Sequence, residues 1–501
     1  MKGPPPSGSA EMAAQQRLVE EVAAQRESVL QACWAHQLWR RGELRTAGGS
    51  TLEVIAPGWL NRGAGPDFTE ARLLLDGTEH WGDVEIHVHE REWWAHGHHN
   101  DPAYGRVILH VVLKRGERPA LQPVSGEIIP VFEAGPVLSA QVLETMHDPE
   151  ALLERYETLP GRCGLRAARQ GGDALARVIA HASETRARNK AEAAAPVLAA
   201  AGEEEGLFQL MFRYLGYRPF APFFRALAER YPLATLTPLL DLPMTEARTA
   251  ILARWFGAAG LLDRDPGDSS EPADPGATPA SPASLAWLDP GARSEYAALR
   301  ECWLELGTPP LVEKLPKGGS RPWNAAERRM VGMFHHLHAM ARGGWLKEWL
   351  AFLLRLDRLR NHPNFTKEAA ETLDRVFATP ESETWRFRVT FAHPPKKRAA
   401  RLIGPERVAM LMANAVLPFF LARARRDGDR ELEKVLYRLY LVLPPESANH
   451  RTRFMEHRMG PFSLPKRSLR THQGLLQIHT DFCTSFHHGC ENCGLPDLIG
   501  R

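Results

Sequence analysis

The chain has 501 residues, 44% hydrophobic and 24% charged, with a formal net charge of +2. That length suits two or three domains, and the composition excludes a collagen-like or low-complexity chain. The near-neutral balance leaves any nucleic-acid signal to local clusters.

Residues 1–9 carry no apolar run of the signal-peptide kind and are expected to form a disordered tail. From Ala10 to Arg41, the apolar residues Leu18, Val22, Val29 and Ala32 recur at three- to four-residue steps, so a helix ending at Gly42 is expected. Short β-type runs follow at Thr51–Ala56, Ala71–Leu75, Val84–Val88 and Val107–Leu113, separated by Pro-Gly, Gly-Pro-Asp and Asp-Gly turns. A His- and Trp-rich connector, Glu90–Gly105, lies between the third and fourth runs, and a last extended region spans Leu121–Phe132. Residues 10–140 thus read as an α/β domain with a leading helix. Helical periodicity dominates 141–262 and 285–480. The segment 263–284 is built from Pro, Gly, Asp, Ser and Ala and is expected to be a disordered insertion. The fold class is α+β. The most apolar stretch, Val408–Ala424, is broken by Asn414 and Pro418, which suits a buried helix better than a membrane span. The cytoplasm is the expected location. Oligomeric state has no signature here.

Along Asp83-Val84-Glu85-Ile86-His87-Val88-His89 the apolar side chains share one strand face and the ionisable ones the other. Asp67 opens the preceding strand. If the two strands pair antiparallel, Asp67 and Glu85 are neighbours, and two close carboxylates call for a hard divalent cation such as Mg²⁺ or Mn²⁺. His87 would then position or deprotonate the attacking water. A rival reading is a zinc hydrolase built from His87, His89 and His96 with Asp67 or Glu85, with His98 and His110 as accessory imidazoles. The non-enzymatic rival is a nucleic-acid-binding or scaffold protein whose strand polars form no working site.

Three cysteines, Cys483, Cys490 and Cys493, close the chain (residues 481–501) in a spacing that suits a zinc ion or an iron–sulfur cluster. Cys163 is the expected fourth ligand, with His487 or His488 as the alternative. Arg186 and Lys190, at i and i+4 on a helix, are expected to border the active site. Basic clusters around Lys396–Arg401, Lys466–Arg470 and Arg321, Arg328 and Arg329 make nucleic acid the candidate partner class.

The order helix, three strands, connector, strand, carrying Pro66-Asp67 and Glu85-Ile86-His87, resembles the PD-(D/E)xK nuclease superfamily. The resemblance implies a restriction-endonuclease-like core, phosphodiester hydrolysis, and Asp67 and Glu85 as metal ligands. His87 stands where that motif has lysine. Some members of the superfamily clamp the domain with cysteines around a [4Fe–4S] cluster, which the C-terminal cysteines resemble. Nearly the whole chain resembles a bacterial family without assigned activity, DUF2851. The matching residues are Trp34-x2-Gln37, Leu44-x-Thr46, Pro57-Gly58-x2-Asn61, Gly65-Pro66-Asp67-Phe68 and Gly82 to His87. Trp94-x-His96-x-His98, Asp101-x2-Tyr104, Ile108 to Val112, Cys163, Arg186-x3-Lys190, Arg321-Pro322-x-Asn324 and Asn414-x3-Pro418 continue the match.

Overall fold

The computed structural model describes residues 8–40, 42–63, 65–116, 128–158, 161–263, 289–313, 315, 324–341, 344–359, 362, 364–391, 395–460, 464–465, 467–483 and 493–500. Most of the expected tail, the insertion after Asp263, Arg321, Cys490, His487 and His488 lie outside these residues.

The described chain falls into two units. One comprises Met1–Val178, Asn449–Pro465 and Ile478–Arg501; the other comprises Ile179–Ala448 and Lys466–Gln477. The first holds a mixed sheet and the second is helical.

The first unit opens with two helices, α1 (Gly8–Ala23) and α2 (Ser28–His36), where the sequence suggested one. α2 stops at Gln37, well before Gly42. Gln37 adopts left-handed φ and its side-chain amide donates to Trp34 O, so a carboxamide ends the helix in place of glycine. The strands are β1 (Leu44–Arg45), β2 (Thr51–Ala56), β3 (Trp59–Leu60), β4 (Phe68–Leu75), β5 (Thr78–His89), β6 (Val107–Lys114) and β7 (Val131–Glu133). Their order is β1-β2-β4-β5-β6-β7, with β3 also paired to β4. β2 pairs antiparallel with β4 and β4 antiparallel with β5, whereas β6 is parallel to β5 and β7 parallel to β6. The β4–β5 hairpin turns through Asp76-Gly77, both at positive φ, as a two-residue turn requires.

Strand alternation divides the sheet into two buried faces. Phe68, Ala71, Leu73, Val84, Ile86, Leu109 and Val111 pack with Val29, Leu30, Cys33 and Trp34 of α2 in one core. Glu85, His87 and His110 point to the opposite face, where Trp93, Tyr104 and Val112 form a second small core. The ionisable face of β5 is therefore covered, not solvated.

A bulge sets which residues meet there. Phe68 pairs with Val84, but Ala71 pairs with Gly82, so β4 carries one extra residue between the two pairs. Glu70 sits in the bulge at φ +60. Its N–H donates to Asp83 Oδ1 at 3.0 Å, and its carboxylate pairs with Arg451. Continuing the Phe68–Val84 register by one residue places Asp67 opposite Glu85 on the same face.

The end of the chain returns to the first unit. The helix Leu495–Ile499, just after Cys493, packs on the helix Arg162–Gln170 that carries buried Cys163. Cys163 Sγ lies 3.7 Å from Arg458 O, in the helix His450–Met459.

Among the described residues, one helix, Pro405–Asp427 of the second unit, is long and apolar enough to cross a membrane, and 78% of its apolar window is buried inside the protein. A π turn, Met412–Val416, and Pro418 interrupt it. Arg328 and Arg329 correct the basic-cluster reading, because both are buried and spend their donors on backbone carbonyls. Arg328 reaches Ala400 O and Arg401 O at 3.0 and 2.9 Å; Arg329 reaches Leu215 O and Gly216 O at 2.9 and 3.0 Å.

Asp83→Ala removes the acceptor that holds the bulge. The expected loss is about 1–3 kcal/mol, read as a lower urea midpoint by a fluorescence probe of the first unit.

Candidate metal centre

Glu85 and His87 are two residues apart on β5, so they share a face by strand geometry. His110 joins them from β6, where it pairs in register with Glu85. The connector from β5 to β6 folds back over this face. It makes one helical turn, α3 (Glu92–Ala95), reverses at Gly97 with φ +75, and makes a 3₁₀ turn at His98–Asn100. Fully buried Trp93 packs against the rings of His98, Tyr104 and His110 and holds the connector down.

The imidazoles and Glu85 converge at short range. Glu85 Oε1 lies 3.1 Å from His98 Nε2 and 3.4 Å from His87 Nε2. His87 Nε2 is 3.2 Å from His96 Nδ1, and His87 Nδ1 is 2.8 Å from His110 Nε2. Donor nitrogens of His87, His96 and His98 all lie within 4.8 Å of one another, the only such group able to hold a metal ion among the described residues. His87 and His98 are buried, whereas His96 is exposed, so the cluster meets solvent on one side.

Asp67 adjoins this cluster. Its backbone N–H donates to Glu85 Oε2 at 3.0 Å. Its own oxygens are held by Gln31 Nε2 and Ile86 N, each at 2.9 Å. Gln31 also donates to Glu27 Oε1 at 3.2 Å, so α2 contributes two residues that the sequence reading missed. Their i, i+4 spacing on one helix face was the available signal. Tyr104, whose ring stacks 3.8 Å from that of His98, was missed as well.

Burial drives the enclosed acids and the imidazoles of His87 and His110 toward neutrality. It raises both Asp67 and Glu85, and the Glu85 charge raises Asp67 further. Burial, then the charges of Asp67 and Glu85, push Glu27 up to about 8. Burial, then His110, His98 and His96, hold His87 down at about 2, and burial holds His110 at about 3. Neutral imidazoles keep the lone pairs that metals use.

The donor set fits a transition ion. A tetrahedral Zn²⁺ with bonds of about 2.0–2.1 Å separates its ligand atoms by roughly 3.3–3.4 Å, close to the spacings around Glu85 and His87. Three imidazole nitrogens suit zinc or manganese better than Mg²⁺, which favours oxygen. Apart from Glu85 Oε1 at 3.1 Å, buried His98 Nε2 has no hydrogen-bond partner among the described residues, which suits a ligand atom.

Of the residues singled out from sequence, Asp67, Glu85, His87, His96, His98 and His110 come together. His89 is not part of the metal-binding group: it shares the face of His87 but lies one strand repeat, roughly 6.6 Å, farther along. His98 supplies the third imidazole instead. Arg186 and Lys190 belong to the second unit. Arg186 donates to Gln473, and Lys190 Nζ donates to Gln473, Asn414 and the Ala413 carbonyl. Cys163, Cys483 and Cys493 lie in the first unit.

The model of a family described as a protein of unknown function, DUF2851, matches residues 27–273. Over that span the chain belongs to DUF2851. The DUF2851 match contains every residue of the centre, from Glu27 to His110, together with Cys163, and stops short of Cys483, Cys490 and Cys493. No curated protein and no solved structure matches the chain.

Glu27 provides a pH test that avoids the ligands. Its folded-state value of about 8 lies above the ordinary 4.5, so its ionisation costs stability as pH rises through that window. In chelator-treated protein, Glu27→Gln should match wild type near pH 4 and exceed it at pH 8 by on the order of 1 kcal/mol, after allowance for solvent screening. Urea titrations at the two pH values measure the difference.

Proposed function

We propose that the protein is a metal-dependent hydrolase acting on phosphodiester bonds of nucleic acid, with the metal held by Glu85, His87, His96 and His98. The observation that carries the reading is the convergence of three imidazoles, of His87, His96 and His98, within 4.8 Å, with Glu85 Oε1 3.4 and 3.1 Å from two of them. Phosphodiester chemistry rests on the order of elements: a helix, three antiparallel strands (β2, β4 and β5), a connector, and β6 parallel to β5. Pro66-Asp67 leads into the middle strand and Glu85-Ile86-His87 lies on the next, as in the PD-(D/E)xK arrangement. In this reading His87 is a ligand and not the group that positions water.

When bound, a Zn²⁺ or Mn²⁺ ion polarises a phosphoryl oxygen and makes water more acidic. The side chains do the rest. Asp67, fixed at both oxygens by Gln31 and Ile86 N–H, accepts a proton from the attacking water. Burial and the neighbouring Glu85 charge make it a stronger base than an ordinary aspartate. Its N–H holds Glu85 Oε2, which leaves Oε1 facing the imidazoles. Exposed His96 marks the side from which an extended substrate enters.

The cysteines support a separate, structural assignment: a zinc ion or [4Fe–4S] cluster on Cys163, Cys483, Cys490 and Cys493. The packing of the helix after Cys493 on the helix of Cys163 favours it.

Metal analysis and cleavage assays on labelled DNA and RNA, single- and double-stranded, test the proposal. Chelation should abolish cleavage, and Zn²⁺ or Mn²⁺ should restore it. Glu85→Gln should lose the metal, whereas Asp67→Asn should keep it and lose about 10²-fold or more in rate. Cleavage that is unaffected by Asp67→Asn, or absent with every metal and substrate, refutes the reading. Replacing the C-terminal cysteines should leave this metal in place while removing a second zinc, or absorption near about 400 nm from iron–sulfur.

A further inference from the structure

We propose that His110 fixes His87 in its metal-binding tautomer and so acts as a positioning residue for the centre. The inference rests on the metal-centre reading above and goes beyond it in assigning a role to a residue outside the ligand set.

An imidazole that binds a metal through Nε2 carries its ring proton on Nδ1, and that proton needs an acceptor. His87 is 1% exposed, so water does not supply one. His110 Nε2, 2.8 Å from His87 Nδ1, does. His110 is itself fully buried and held in place from two sides. It lies on β6 in register with Glu85, and its ring packs against Trp93. Accepting at Nε2 puts the proton of His110 on Nδ1, which has no hydrogen-bond partner among the described residues. The opposite arrangement, with His110 Nε2–H donating to His87 Nδ1, would place the His87 proton on Nε2. It would then block the atom that faces Glu85 Oε1 and His96 Nδ1. The partner of a metal-bound histidine is ordinarily a carboxylate or carbonyl; here a second imidazole fills that place.

Two variants and one spectrum test this. His110→Gln keeps an acceptor near the Nε2 position, whereas His110→Leu keeps bulk and removes it. Zn²⁺ affinity, measured by chelator competition, should fall 10- to 100-fold in His110→Leu and stay within about threefold of wild type in His110→Gln. Cobalt-substituted His110→Gln should keep the wild-type visible spectrum. In ¹⁵N-histidine-labelled wild-type protein loaded with Zn²⁺, His87 should carry its proton on Nδ1, a readout that needs no variant to fold. Wild-type affinity in His110→Leu, or a His87 proton on Nε2, overturns the proposal while leaving the metal centre standing. Absence of metal binding by wild type overturns both.

Discussion

The place of Asp67 beside Glu85 depends on a single extra residue in β4. In an antiparallel pair, facing residues share a side of the sheet, and a slip of one position reverses every side chain. Extended unbroken from Ala71–Gly82, the pairing would set Asp67 opposite Ile86, with its side chain toward the α2 core. The bulge moves it opposite Glu85. Left-handed φ at a glutamate carries a real cost, so the bulge needs partners that hold it. Asp83 takes the Glu70 N–H and Arg451 takes its carboxylate. Asp83 is on the ionisable face of β5 but acts on the backbone of its neighbour, two positions from Glu85.

A register that gathers three carboxyl groups and four imidazoles under Trp93 creates an electrostatic problem. Charged, the carboxylates repel and lose solvation; neutral, the imidazoles forfeit any ion pairing with them. Burial resolves this by neutralising both kinds of group: it raises the three acids and lowers His87, His98 and His110. An apolar filling would be more stable. A divalent cation of the kind proposed would reverse the balance, because ionised Glu85 and unprotonated imidazoles are the forms it would bind. The groups whose burial costs the fold stability are the ones the proposal assigns as ligands, in keeping with perturbed titratable groups clustering at functional sites.

Much of this was legible in the residues. Alternation along β5 placed Glu85 and His87 on one face, the Gly-Pro-Asp and Asp-Gly turns bounded β4, and Thr51–Ala56 matches β2 at both ends. The bulge was not legible, because Thr69-Glu70 has no glycine to announce positive φ. Nor was the choice of His98 over His89, which depends on how tightly the connector turns at Gly97. The leading helix looked continuous because its apolar spacing runs through the break before Ser28. Arg328 and Arg329 looked like a phosphate-binding pair; charge in a sequence does not reveal whether a guanidinium faces water or carbonyl groups.

The sheet unit is also less local than its motif. Arg451, which secures Glu70, and the ring cluster of Trp59 with His450, Phe454 and His479 come from beyond residue 448. Closing so long a loop is not prohibitive, since each doubling of length adds only about 0.6 kcal/mol. It does mean that residues 10–140, although they contain every proposed ligand, lack part of what holds the register. The DUF2851 match ends at 273 and omits these C-terminal pieces, so the matched region coincides with neither compact unit. The proposed ligands lie in the first third of the chain, whereas the register around Asp67 is secured in part by Arg451, from its other end.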